Sequence, residues 1–318
     1  MYHLIVVHHD TENEDTNRKL ASPSTGQFNE MASNQKQQFS VMLLIPGQFP
    51  SEKKRGMLFS STPKEILQKL ISIFVKQKPD YLEGLTGVEL EHRYKIYALP
   101  EIDKTHEKPK IKIPIFSCKE KSGCLDRYCC GKMREMKIDL FSHVMTMNGC
   151  LKDKFLRLKK DYSCTWACLN RPSMSVYYIG PDASNPQEGD FLGKIFYPFK
   201  CCDQAMQIFT KEKCEGVPDF CITCNCCQIG LICTFPCKSC SIVNFKLLDN
   251  SGKQIGNMTK IFSGFFQEAF TFADNYTANF PLYLDWKSKA LIIAGILFTD
   301  YQMFSKREKA KEESSHHH

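Results

Sequence analysis

From Glu91 to Lys260 apolar and polar residues alternate in short runs with period two. The first are Tyr94-Lys95-Ile96-Tyr97, Lys110-Ile111-Lys112-Ile113 and Met136-Lys137-Ile138-Asp139-Leu140. Phe155-Leu156-Arg157-Leu158, Val176-Tyr177-Tyr178-Ile179, Ile195-Phe196-Tyr197 and Val243-Asn244-Phe245-Lys246-Leu247 follow. Successive side chains of a strand point to opposite faces, so each run predicts a strand with one buried face. Asn148-Gly149, Gly180-Pro181, Gly189-Asp190 and Asn250-Ser251-Gly252 place turn chemistry between many of them. Short strands divided by polar turns predict a mainly β fold, an antiparallel sandwich or barrel.

Helical spacing flanks this region. Thr62-Pro63-Lys64-Glu65 has the form of a capping box with proline at the first helical position. Ile66, Leu67, Leu70, Ile73 and Phe74 then recur at three- and four-residue intervals, which predicts an amphipathic helix over 62–78. Its polar face is not strongly basic, so packing on the domain is preferred to a membrane-surface role. Phe265, Phe266, Ala269 and Phe270 also look helical. A last helix is expected over 287–304, with Ala290, Leu291, Ile292, Ile293, Ile296, Leu297 and Phe298 apolar on every side. The resulting organisation is a polar, disordered tail over 1–60, a domain over 61–305 with its barrel near 91–263, and a charged tail over 306–318.

The apolar helix admits two readings. As a membrane span it is short: nine continuous apolar residues precede Thr299 and Asp300, where about 20 are needed. Asp300 adds about 2.5–3.5 kcal/mol against insertion. The other reading buries the helix within the barrel, since a helix hydrophobic all round must be covered by protein. That reading is preferred, although Lys287, Lys289, Lys306 and Arg307 flank the segment as they would a span.

Charge and composition narrow the function classes. The net charge of +7 permits attraction to anionic lipid or nucleic acid and requires neither. Basic residues sit in short groups, among them Arg157, Lys159 and Lys160, with no basic, aromatic-interleaved stripe. Nucleic acid is therefore not an expected partner. The seventeen cysteines stand out. Leu4-Ile5-Val6-Val7 is too short for a secretory signal, so a reducing compartment is expected, where clustered thiols suggest metal binding, acylation or burial. Cys221 and Cys224, separated by twelve residues from Cys237 and Cys240, have the spacing of a tetrahedral zinc site. No nucleotide-binding glycine motif, nucleophile elbow or His-Glu-x-x-His is found, so an enzyme is not expected.

Several stretches in one order resemble the phospholipid scramblases. They are Leu85-Thr86-Gly87 with Tyr94; Cys124, Cys129-Cys130-Gly131 and Arg134; Cys221, Cys224, Cys226 and Cys227; Glu268-Ala269-Phe270-Thr271; Ala273-Asp274-Asn275; Phe280-Pro281-Leu282; and Leu284-Asp285 with Lys287, Lys289 and Ala290. The resemblance implies a closed, tubby-like antiparallel β-barrel around the hydrophobic C-terminal helix. It also implies calcium-stimulated, energy-independent movement of phospholipids between leaflets and attachment through acylated (palmitate-bearing) cysteines at the cytoplasmic face of the plasma membrane. A nuclear role with DNA binding occurs in some members. Where the family's dense run of acylated cysteines falls, this chain has Cys164 and Cys168, beside the basic group; Cys129 and Cys130 are the other acylation candidates. The family's calcium loop corresponds to 272–283, where Asp274 and Asn275 are the clear oxygen donors. Asp285 gives a shifted frame two acidic ends, yet its third and fifth positions are Tyr276 and Ala278, a poor donor set for an ion that wants six to eight oxygens. In the family setting the zinc-spaced cysteines are instead expected on strands. Membrane phospholipids are the expected partners, with a homo-oligomer if one short helix is to build a lipid path. The rival function is an acylated adaptor or lipid-binding barrel that moves no lipid.

Overall fold

The computed structural model describes residues 62–78, 91–99, 114–146, 149–165, 169–200, 203–232, 242–261 and 275–304. Twelve strands form the wall: β1 (Ser72–Gln77), β2 (Arg93–Leu99), β3 (Phe116–Lys121), β4 (Met136–Thr146), β5 (Gly149–Lys160) and β6 (Ser173–Tyr178), then β7 (Asp190–Phe196), β8 (Asp203–Phe209), β9 (Phe220–Asn225), β10 (Ile242–Asp249), β11 (Gln254–Ile261) and β12 (Asn275–Asn279). Every strand pairs antiparallel with its sequence neighbours. β12 also pairs with β1, from Ser72 opposite Asn279 to Lys76 opposite Asn275, and the ring closes. Closure leaves no free edge for pairing with another chain.

Among the described residues four α-helices accompany the ring: α1 (Pro63–Lys69), α2 (Cys124–Cys130), the single turn α3 (Ile229–Ile232) and α4 (Trp286–Met303). α4 runs through the interior, and every residue from Lys289 to Tyr301 is buried. The inward strand positions are those of the period-two pattern: Met136, Ile138 and Leu140; Leu156 and Leu158; Met174, Val176 and Tyr178; Val243, Phe245 and Leu247. A helix apolar on all sides suits a site walled on all sides. The expected closed antiparallel barrel around a hydrophobic C-terminal helix is therefore observed.

Close approach of α4 to the wall depends on two glycines. A Cβ at Gly193 of β7 would fall on the carbonyl oxygen of Phe209 and against Leu291, and one at Gly295 would press on Ile208 and Ile222. Gly193→Ala should lower the unfolding free energy by about 1–3 kcal/mol, because backbone cannot yield as a side chain can. Urea denaturation checks this, and an unchanged midpoint would contradict the packing.

One prediction needs correction. The helix expected over 62–78 is α1 followed at once by β1. Thr62 does cap α1, its hydroxyl accepting from Glu65 N at 3.3 Å. Beyond Leu70, however, Ile73 and Val75 are β-branched and Ile73–Phe74–Val75 is buried on both faces, so neither period is legible there. The barrel consequently extends past 91–263 at both ends, to β1 and β12. The run Lys110–Ile113 and the helix suggested at Phe265–Phe270 lie outside the described residues.

The barrel has two rims. At the first lie α1 and the start of α4, where Lys289 Nζ donates to Gln68 O at 2.7 Å. The second holds the end of α4, α2 and the connections β3–β4, β5–β6, β7–β8 and β9–β10.

Candidate functional site

At the second rim the inward parity of several strands ends on a charged residue. Glu120 follows Phe116 and Cys118, Lys160 follows Leu156 and Leu158, and Lys260 follows Met258; all three are wholly buried. Buried charge is tolerated only with partners. Glu120 Oε1 accepts from Arg134 Nη2 at 2.8 Å and from Ser122 Oγ at 2.8 Å. Its Oε2 accepts from His92 Nδ1 at 2.6 Å and from His92 N at 3.1 Å. An ionised carboxylate only accepts, so Nδ1 carries the proton. Burial pushes the Glu120 pKa up, but the hydrogen bond and charge of His92 and then those of Arg134 outweigh it, and the carboxyl sits far below its usual range.

Asp300 of α4 forms a second centre. Tyr94 OH donates to its Oδ2 at 2.6 Å, Tyr276 OH donates to Oδ1, and Lys260 Nζ stands 4.0 Å from Oδ1. The Lys260 ammonium also lies 3.4 Å from the centre of the Phe304 ring. Lys160 Nζ donates to the carbonyls of Met133, Arg134 and Asp161 at 3.3, 2.9 and 3.2 Å, and burial lowers its pKa to about 8. Lys132 Nζ donates to Gln302 O at 2.6 Å, and the Arg134 guanidinium lies 5.0 Å from the centre of the Tyr301 ring. The C-terminal end of α4 is thus held by three strands and the β3–β4 connection.

The acylation candidates lie at this same rim. Cys129 is exposed and Cys130 half-buried at the end of α2; Cys164 is exposed in the β5–β6 connection. Ser163 N donates to Met133 O at 3.0 Å, so the β5–β6 connection lies against the turn that follows α2. Two cysteine groups distant in sequence therefore share one patch. Cys168 is outside the described residues. The basic group proposed beside them is smaller than expected, because Lys160 points inward and only Arg157 and Lys159 face out.

The cation candidates are not brought together. Asn275 is buried at the start of β12, at the second rim. Asp285 caps the N-terminus of α4, at the first, and its Oδ1 accepts from Ser288 N at 3.0 Å. The 15 residues of α4 from Asp285 to Asp300 alone span about 22 Å, so these two oxygens do not share a calcium ion. Asp274 lies outside the described residues, as do Cys237 and Cys240. Strand alternation along β9 leaves Cys221 on the outer face and Cys224 buried inside, so this pair does not form two legs of one tetrahedron. Among the described residues no three His, Cys, Asp or Glu converge as a metal site.

Ala290, Leu291, Ile292, Ile293, Ile296, Leu297 and Phe298 are at most 2% exposed, so the apolar segment is the barrel's core. Among the described residues no helix is long and apolar enough to cross a membrane.

A closed barrel threaded by its own C-terminal helix, with thiols gathered at one rim, defines the class structurally. The chain belongs to the Scramblase family, whose sequence model matches residues 55–306. It is 24% identical over 254 residues to mouse phospholipid scramblase 1, covering 79% of this chain and 66% of that one. Similarity to human phospholipid scramblase 2 is 25% over 246 residues (76% and 70%), and to human phospholipid scramblase family member 5 it is 26% over 252 residues (76% and 76%). The chain spans about two thirds of the length of the scramblase 1 relatives. No solved structure gives a significant match.

Proposed function

We propose that the chain promotes energy-independent, bidirectional exchange of phospholipids between membrane leaflets, working from the cytoplasmic face of the plasma membrane. The carrying observation is the Scramblase match, which runs from before α1 to the end of α4 and so takes in the whole barrel. Attachment is assigned to acyl groups on Cys164 and Cys168, with Cys129 and Cys130, because stable anchoring needs two signals. A headgroup crossing hydrocarbon requires a polar path. α4 is enclosed in its own barrel and lines none, so the reading relies on several copies thinning the bilayer together.

Fluorescent-lipid exchange in proteoliposomes, with and without calcium, tests this. Exchange faster than in protein-free vesicles is expected, with no effect of calcium through Asn275 and Asp285. Exchange no faster than the protein-free rate would favour the second reading, a tethered lipid-binding barrel. That reading draws support from the burial of α4.

A further inference from the structure

On the outer wall at the second rim, three strands place lysine opposite lysine. Lys121 of β3 stands opposite Lys137 of β4, and Lys137 stands opposite Lys159 of β5. Like charges directly opposite on neighbouring strands destabilise a sheet. The adjacent row reads Lys119, Asp139, Arg157 and Tyr177. Its one carboxylate, Asp139, is nearly buried and already engaged: Lys154 approaches at 2.8 Å, Lys121 at 3.1 Å and Arg157 Nε at 3.3 Å. Glu135 reaches Lys137 at 3.4 Å. Glu91 reaches Lys119 at 3.5 Å, so six cations face three carboxylates around a shallow cavity of about 320 Å³ lined by Lys121, Lys137, Asp139, Arg157 and Lys159.

We infer that this cavity seats the phosphate of an anionic membrane lipid, with Lys121, Lys137 and Lys159 as its ligands. The inference rests on the reading of the chain as a protein of membrane phospholipids, and it adds which surface meets the headgroups. An anion set among the three ammonium groups turns a repulsive row into an attractive one. Four observations favour a lipid headgroup. The cavity takes one headgroup, and the row spans only about 10 Å across the strands, whereas tight duplex binding draws on several phosphates along a longer track. Lys159 lies 5.5 Å from the centre of the Tyr177 ring, which packs edge-on to Phe191 at 5.7 Å. Such rings suit the headgroup level of a bilayer. The row also lies at the rim that carries Cys129, Cys130 and Cys164, so one orientation brings thiols and bases to the same membrane. At the first rim the charges are mixed, as in Lys211, Glu212, Lys213 and Glu215, and exposed apolar residues such as Tyr162 and Val217 occur at both rims and decide nothing.

The test is co-sedimentation of the full chain with vesicles of phosphatidylcholine alone or with phosphatidylserine added. The chain is compared with a triple variant, Lys121→Ser, Lys137→Ser and Lys159→Ser, and with a control, Lys211→Ser and Lys213→Ser. The triple variant should lose roughly 100-fold in partitioning onto the anionic vesicles, about 1 kcal/mol for each lysine removed. The control should bind like the unaltered chain. Lys154 and Arg157 still pair with Asp139 in the variant and the like-charge row is relieved, so its melting temperature should stay close to that of the unaltered chain, which separates lost binding from lost folding. Equal binding by chain and triple variant overturns the inference and leaves the membrane reading standing. Failure of the unaltered chain to bind any vesicle overturns both. Duplex DNA binding that the triple variant loses, with vesicle binding unchanged, assigns the cavity to another polyanion and also overturns it.

Discussion

Glu120→Ala should reduce the unfolding free energy by roughly 3–5 kcal/mol, the cost of breaking a buried ion pair from one side. The carboxylate receives two nitrogens of Arg134, two of His92 and the hydroxyl of Ser122, and both it and Arg134 are wholly buried. A typical domain has only about 5–15 kcal/mol to lose, so the variant should unfold at a much lower urea concentration. A loss below about 1 kcal/mol would mean a surface-like pair and would contradict the burial. The pH dependence has a fixed sign. The folded pKa of Glu120 is lowered, so the folded state binds fewer protons than the unfolded state through the carboxylate range. The stability it contributes is complete above the unfolded carboxylate pKa and is lost as pH falls through the lower folded value. Glu120→Gln should flatten this acid limb. An identical acid slope in chain and variant would place the acid-labile group elsewhere.

The second large effect concerns Asp300, and here buried and spanning readings of α4 differ in sign. In the barrel Asp300 receives Tyr94 and Tyr276 and faces Lys260. Asp300→Ala should therefore destabilise the fold by roughly 3–5 kcal/mol. Were α4 to cross a bilayer, removing the same carboxylate would ease insertion by about 2.5–3.5 kcal/mol. Urea unfolding together with carbonate extraction from membranes distinguishes the two. Lower stability with unchanged extraction is expected, and tighter retention in the membrane fraction would count against the buried helix.

Much of the barrel was legible because one-sided strands write their burial into alternation. β2, β4, β5, β6 and β10 fall where the period-two runs lie. β1 was hidden, since a strand covered on both faces alternates in nothing, and the capped start of α1 extended the helical reading across it. The enclosed helix was legible for a related reason: with Asp300 near its end it is too short and too charged to span, and too apolar to be left in water. At the rim the signal was present but unused. Glu120, Lys160 and Lys260 keep the parity of the apolar residues before them, which marks them as inward-facing charges. The outer basic row could not be read along the chain at all. Lys121, Lys137 and Lys159 become neighbours only through the register of three strands. Sequence proximity is no guide to shared ligation either: Asn275 and Asp285 are close in sequence but are carried to opposite rims by β12 and the turn into α4.

Ring closure also sets the order in which the molecule can assemble. β1 must wait for β12, which lies about two hundred residues later in the chain, and the core is not filled until α4 has been made. Until then β1 has an open edge and the inward faces of the sheet are wet. Such high contact order predicts slow folding from a collapsed intermediate that is prone to self-association. Nascent chains released before α4 should be clients of chaperones and proteases. The segment that looks most like a membrane anchor is, in this sense, the last step of folding.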